Sequence, residues 1–252
     1  MGFVKNIIYK NVGAEYDLIM YGVSSVINTR AVLAGVYSTL SESQMKKFTI
    51  LGDDIYVELQ NVPANSYLLG FKDNPLPCTK VIITNPNVYI GGQCFRNHQF
   101  IESFETTSNI LGATSFYGCT SLKVSDCIIP NITSIGSSTF YNNIGGGTLN
   151  LPSVTSFSAY AINQSLTVGG FSIDAPECLS IGAYGLHSAS GTMNFPKLNN
   201  LGDPATNTFA LYGIVSGSIL NVNNVLATNN AGNEDADIAY ARGRGATIIF
   251  TP

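Results

Sequence analysis

The chain has no tryptophan and only two histidines, and Asp, Glu, Lys and Arg together make up 11% of its 252 residues. Each scarcity closes off a class of function. With 12 basic against 16 acidic residues there is no basic stripe, so nucleic acid is not an expected partner. No run of about eighteen apolar residues exists, so no membrane span is expected. The five cysteines (Cys78, Cys94, Cys119, Cys127 and Cys178) contain no C-x-x-C pair, and an odd number cannot all pair with one another. Free and mostly buried thiols are expected.

The reactive constellations are missing as well. His98 and His187 have no carboxylate or thiol at ligand spacing and read as surface or groove histidines without chemistry. No G-x-S-x-G elbow is present. Asp53-Asp54 and Glu234-Asp235-Asp237 fit no EF-hand loop. Gly145-Gly146-Gly147 lacks the Lys-Ser/Thr that completes a phosphate cradle. The acidic residues of the middle region (Glu102, Glu105, Asp126, Asp174, Glu177 and Asp203) are too sparse for the facing carboxylates of a glycosidase. The chain is therefore not expected to be an enzyme, and no catalytic residue, cofactor or metal is expected.

What the chain does have is a repeat. An apolar residue is followed by a small one and, four positions later, by another apolar residue: Ile90-Gly91 leads to Phe95, Leu111-Gly112 to Phe116, Ile135-Gly136 to Phe140, Phe157-Ser158 to Ile162, and Ile181-Gly182 to Leu186. Leu201-Gly202 opens a sixth unit in which the aromatic is expected at Phe209, after an insertion over 203–208. The small residues lie 21, 24, 22, 24 and 20 positions apart. Each unit then carries a short alternating run, usually closed by proline: Cys127 to Pro130, Leu149 to Pro152, Phe171 to Pro176, Met193 to Pro196, and Ile219 to Val222 without proline. Alternation is the strand period, and proline ends a ladder because it cannot donate to it. A repeated strand-and-turn unit of this length cannot bury its apolar side alone, so the units must stack as a solenoid. In that solenoid Phe95, Phe116 and Phe140 are expected to stack in the core at successive levels. Leu149, Leu151, Ile173 and Phe195 are expected to face its interior.

The stretch Ser115-Phe116-Tyr117-Gly118-Cys119-Thr120-Ser121-Leu122, with Ile128-Ile129-Pro130-Asn131 and Ile132-Thr133-Ser134-Ile135-Gly136 behind it, resembles the BspA-type leucine-rich repeat. The resemblance is strongest over 109–140, extends over 88–202, and weakens where Asn163 and Ser188 replace the "GCTSL" part. It implies a mainly β leucine-rich-repeat solenoid with a parallel sheet, and it carries no catalytic residues. It also places Cys119 where this repeat buries a small residue. The family occurs in bacterial surface proteins, protist surface proteins and bacteriophage structural proteins, so a binding or adhesive role is implied.

Three regions follow. Residues 1–45 lie outside the repeat and are apolar and aromatic, as befits a lid over the first coil, an assembly contact, or both. A short helix is expected over Ser41 to Phe48. Within 46–228, the solenoid, residues 46–86 read as irregular leading coils. Residues 229–252 read as a C-terminal cap, with a helix from Glu234 to Gly243 and a strand from Ala246 to Thr251.

Tyr117, Tyr141, Tyr160 and Tyr184 fall beside the small-residue anchor of successive coils. They either pack along the outer edge or form a ladder of aromatic faces able to contact sugars or a partner. Met1 to Lys5 has no export leader, which favours a chain made in the host cytoplasm and assembled there. The leading expectation is a structural or receptor-binding protein of a phage virion, in a tail or head fibre. It would form a homotrimer, contact other virion proteins through its N-terminal part, and meet a host surface glycan or protein. The alternative is an adhesin on the bacterial cell surface.

Overall fold

The computed structural model describes residues 16–23, 44–63, 66–68, 77–143, 146–163, 171–202, 209–228 and 234–252. The alternating runs form strands, and the strands stack coil upon coil. Gly147–Asn150, Phe171–Asp174, Thr192–Phe195, Ile219–Asn223 and Thr247–Thr251 make one parallel five-stranded sheet in sequence order. Its register puts Leu149, Ile173, Met193 and Leu220 in one buried column, and Leu151, Ala175, Phe195 and Val222 fill the next. Before the first column the strands point Thr148, Ser172 and Thr192, and between the two columns Asn150, Asp174, Asn194 and Asn221, to the other face. Among the described residues the fold is a β-solenoid of about 5 turns with one α-helix, consistent with a leucine-rich repeat.

A second wall comes from two-residue strands. Ser134–Ile135, Ser156–Phe157, Ser180–Ile181 and Asn200–Leu201 pair in parallel, with Ile135, Phe157, Ile181 and Leu201 buried in one column. The small residue follows at once because the backbone of the preceding coil stands against it. A Cβ on Gly136 would lie 3.0 Å from the backbone of Ala113.

The third wall is the turn that carries the anchor residue. The N–H of Phe95 donates to Ser115 O, Phe116 to Thr139, Phe140 to Ala161, Ile162 to Gly185, and Leu186 to Ala210, at 2.9–3.1 Å. In each case the acceptor is the residue just before the next anchor. The sixth anchor is therefore Leu211. It is fully buried, whereas Phe209, the expected anchor, sits two positions earlier and half-buried. An aliphatic side chain fills the core there, and the aromatic is displaced to the surface.

Phe95 stacks on Phe116 at 5.5 Å, and Phe116 on Phe140 at 5.9 Å. All three rings are buried. Cys119 lies three positions after its anchor, in the same place as His98, Asn143, Ala189 and Ile214. Its Sγ donates to Phe95 O at 2.9 Å, and Asn143 Nδ2 donates to Phe116 O at 3.0 Å. Cys119 and Asn143 thus each cap the carbonyl of the anchor one coil before.

The N-terminal end departs from the expectation. Met45–Leu51 is a strand, not part of a helix, and 41–43 lie outside the described residues. It forms an antiparallel hairpin with Asp54–Leu59 through Gly52-Asp53, with Gly52 at φ 62° and a Lys46–Glu58 ion pair across the strands. Cross-strand hydrogen bonds outweigh the weak helix preference of the run. Residues 45–59 are accordingly an antiparallel unit and not leading coils. The parallel ladder of this sheet starts at Lys80–Ile83, which pairs with Ser103–Thr106 and, through it, with Cys127–Ile128.

Leu18–Tyr21 lies between hairpin and ladder, antiparallel to both. It covers the first coil with Leu18 and Met20 in the core, while Ile19 joins Tyr16 and Tyr56 in a second cluster.

At the other end the helix Ala236–Gly243 is capped by Asp235, whose carboxylate accepts from the N–H of Asp237 and Ile238. Thr247–Thr251 then adds the last parallel strand.

Candidate recognition surface

The anchor turns set the geometry of one flank. The turns at Phe95, Phe116, Phe140 and Leu186 have left-handed backbone at two places, and those at Ile162 and Leu211 show it at one described place. Two residues before the anchor these are Gln93, Thr114, Ser138, Tyr160 and Tyr184. Two residues after it they are Asn97, Gly118, Asn142, Ser188 and Gly213. Between these places the anchor and the residue before it are buried, while the residue after the anchor, Asn163 excepted, stays on the flank, where stacking aligns the side chains in columns.

The four expected tyrosines fall in two columns and not one. Tyr117 and Tyr141 are the residues just after their anchors, and their rings stack at 4.6 Å and 8°. Tyr160 and Tyr184 lie two residues before theirs and stack at 4.9 Å and 13°. Reading the sequence from the anchor outward finds the members that were missed. The column after the anchor runs Arg96, Tyr117, Tyr141, Asn163, His187, Tyr212. The column before it ends on Tyr160, Tyr184, Phe209.

The Arg96 guanidinium lies 5.2 Å from the centre of the Tyr117 ring. His187 stacks on Tyr212 at 5.4 Å, and Tyr240 of the helix stacks on both Phe209 (4.8 Å) and Tyr212 (6.0 Å). Tyr240 also accepts the N–H of Gly213 through its hydroxyl, at 3.1 Å. Most of these rings cover one another, so the flank offers edges and hydroxyls along its length and open faces only where a stack ends.

His98 differs from the expectation, and from His187. His98 is buried in the core column and meets Phe95 edge-on at 5.5 Å, because its register position points inward. His187 stays on the flank, with Ser188 Oγ 3.1 Å from its Nδ1. Partial burial lowers its pKa, so it stays neutral to lower pH than a free histidine.

The five cysteines are all buried, and none forms a disulfide. Burial pushes the thiols of Cys78, Cys119 and Cys178 up to about 12 and raises that of Cys127 further, which leaves them without thiolate reactivity.

The repeat carboxylates are engaged singly. Glu105 meets Lys80 at 3.7 Å, Glu177 meets Lys197 at 2.7 Å, and Asp174 accepts from Asn194 at 2.7 Å. Asp203 lies outside the described residues. Among the described residues no cluster of three metal-ligating side chains forms.

Asp237 has a role that helix-end charge did not suggest. It is buried and accepts the N–H of Leu211 at 3.0 Å, tying the helix to the last anchor. Burial pushes its pKa up to about 6.

The repeat pattern described as the BspA type leucine rich repeat region matches residues 71–196 in six copies. No curated protein and no solved structure matches the chain. Repeats of this type are generally non-enzymatic interaction scaffolds and typically surface-associated. Among the described residues no helix is long and apolar enough to cross a membrane.

Proposed function

We propose that this chain, which belongs to the BspA-type leucine-rich repeat family, is a non-enzymatic virion protein of a bacteriophage, a tail or head fibre component that contacts the host cell surface. The observation that carries the reading is the flank: aromatic side chains in register over successive coils, on a body with few charges and many Ser, Thr and Asn side chains. Such a surface suits neutral glycans or protein loops, and Tyr117, Tyr141, Tyr160 and Tyr184 are its proposed contacts.

Contacts of this kind are weak singly and gain from linked copies, which raise the effective concentration. A homotrimer joined to other virion proteins through the N-terminal part, with the solenoid projecting, meets that need. The three regions 1–45, 46–228 and 229–252 then serve as assembly end, binding body and shielded tip.

The bacterial adhesin is the second reading, favoured by the surface association typical of the repeat type.

Light scattering on the full chain, with immunogold labelling of purified phage particles, tests the proposal. The expected result is a mass of three chains and label on the particle. A monomer at every concentration, with label confined to the envelope of uninfected bacteria, would overturn it in favour of the adhesin.

A further inference from the structure

The last strand of the parallel sheet, Thr247–Thr251, has one partner among the described strands, Ile219–Asn223. The N–H of Thr247 donates to Ser218 O at 2.8 Å, which sets the phase of that ladder. Along a strand the N–H and C=O of one residue point to the same edge, and the edge alternates from residue to residue. Thr247, Ile249 and Thr251 therefore bond to the preceding coil. Ile248 and Phe250 turn their N–H and C=O to the outer edge.

The side chains of Ile248 and Phe250 continue the two core columns, in register with Leu220 and Val222. Leu220 and Val222 are fully buried, whereas Ile248 and Phe250 are half-buried, since no described coil lies over them. The helix Ala236–Gly243 shields the core beside the strand with Ile238 and Ala241, yet none of the five strand residues is buried.

The two ends of the solenoid differ. Met45–Leu51, the outermost described strand at the N-terminal end, carries the exposed Lys46 and Lys47, and its pairing slips between Met45 and Lys47. Charge and irregularity keep a strand edge from adding another strand. Thr247–Thr251 has neither: it is uncharged, regularly paired, and rich in β-branched and aromatic residues. It also reads alike in both directions about Ile249: Thr, apolar, Ile, apolar, Thr.

We propose that Thr247–Thr251 pairs antiparallel with the same strand of a second copy of this chain, across a two-fold axis at Ile249. The contact goes beyond the reading above: it lies at the end remote from the N-terminal part and joins assemblies tip to tip.

Each position of the strand finds its match in that arrangement. Ile248 and Phe250 of one copy stand opposite Phe250 and Ile248 of the other, and each pair exchanges both N–H···O bonds. Both are aromatic–β-branched pairs on the core side, a favourable cross-strand combination. Thr247 meets Thr251, and Ile249 meets itself on the outer face. Head-to-tail addition would instead set this uncharged edge against the lysines of Met45–Leu51. The two-fold contact avoids them and closes the assembly. Pro252 has no N–H to extend the ladder.

Ile249 carries the test, because it is 46% exposed and sits on the axis. A strand pair this short is a small interface, so association is expected at about 10–500 µM. Sedimentation equilibrium of the full chain should show the low-concentration mass doubling over that range, from three chains to six on the reading above and from one to two without it. Ile249→Lys and Ile249→Glu each set like charges opposite one another. Each should abolish the doubling with unchanged melting, and an equal mixture of the two variants should restore it.

Cross-linking checks the register. Opposed residues of a non-hydrogen-bonded pair have Cα atoms about 4.5 Å apart, within disulfide reach. Ile249→Cys should therefore link two chains under mild oxidation. Thr247→Cys should link to Thr251→Cys and not to itself. The native thiols are buried and add no link. Three results overturn the pairing: a mass that stays constant over the range, doubling that persists in Ile249→Lys, or Thr247→Cys chains that link to one another as readily as Ile249→Cys chains do.

Discussion

A Cβ built on Gly112 would lie 2.4 Å from the backbone nitrogen of Gly92, one coil earlier. The obstacle is main chain and cannot rotate away. Gly112→Ala must therefore push two coils apart where their hydrogen bonds hold them together. Overpacking of this kind costs about 1–3 kcal/mol, occasionally more, and the upper end is expected here. Urea unfolding of the variant against the parent measures it. A change under about 0.5 kcal/mol would mean that the coils are not in this contact.

The register of the sixth coil makes a paired prediction. Leu211 is fully buried and Phe209 is on the flank, so Leu211→Ala should cost about 2–5 kcal/mol and Phe209→Ala clearly less. The reverse order in a denaturation experiment would restore Phe209 as the anchor. Phe116→Ala, which empties the space between two stacked rings, is expected to cost about 3–5 kcal/mol.

Asp237 predicts a pH dependence. Its folded pKa of about 6 lies above the ordinary 3.8, so the folded state holds the proton more tightly than the unfolded chain does. Stability from this group is greatest below the lower value and falls as pH rises through the window between the two, by on the order of 3 kcal/mol. Asp237→Asn keeps an acceptor for the Leu211 N–H and cannot titrate. Its stability between pH 4 and 7 should be flatter than the parent's by that amount. Parallel pH profiles would contradict the burial of this carboxylate.

The body of the fold was legible because its constraints are periodic. The small residue at 112, 136 and 182 marks where coils touch, and Leu149, Ile173 and Met193 repeat the strand alternation at the same distance. Where a constraint does not repeat, reading fails. Lys46 and Glu58 meet only because Gly52-Asp53 reverses the chain, and nothing in the run from Ser41 to Phe48 signals that partner.

Phe209 misled because aromatic anchors in three earlier coils made it look like the fourth, while Leu211 kept the spacing of the turn. The tyrosines were found but assigned to one ladder, since their positions relative to the anchor differ by only three residues. Counting from Leu186 and Leu211 would have added His187 and Tyr212.

The central claim is that this chain recognises a cell surface and leaves it chemically unchanged. Its most direct test is adsorption of the labelled full chain to a panel of bacterial strains, with the length of the released surface polysaccharide measured after incubation. The account predicts saturable uptake by at least one strain, competed by unlabelled chain, with polysaccharide of unchanged length. Uptake by none of the strains, or polysaccharide that shortens with time, would contradict it.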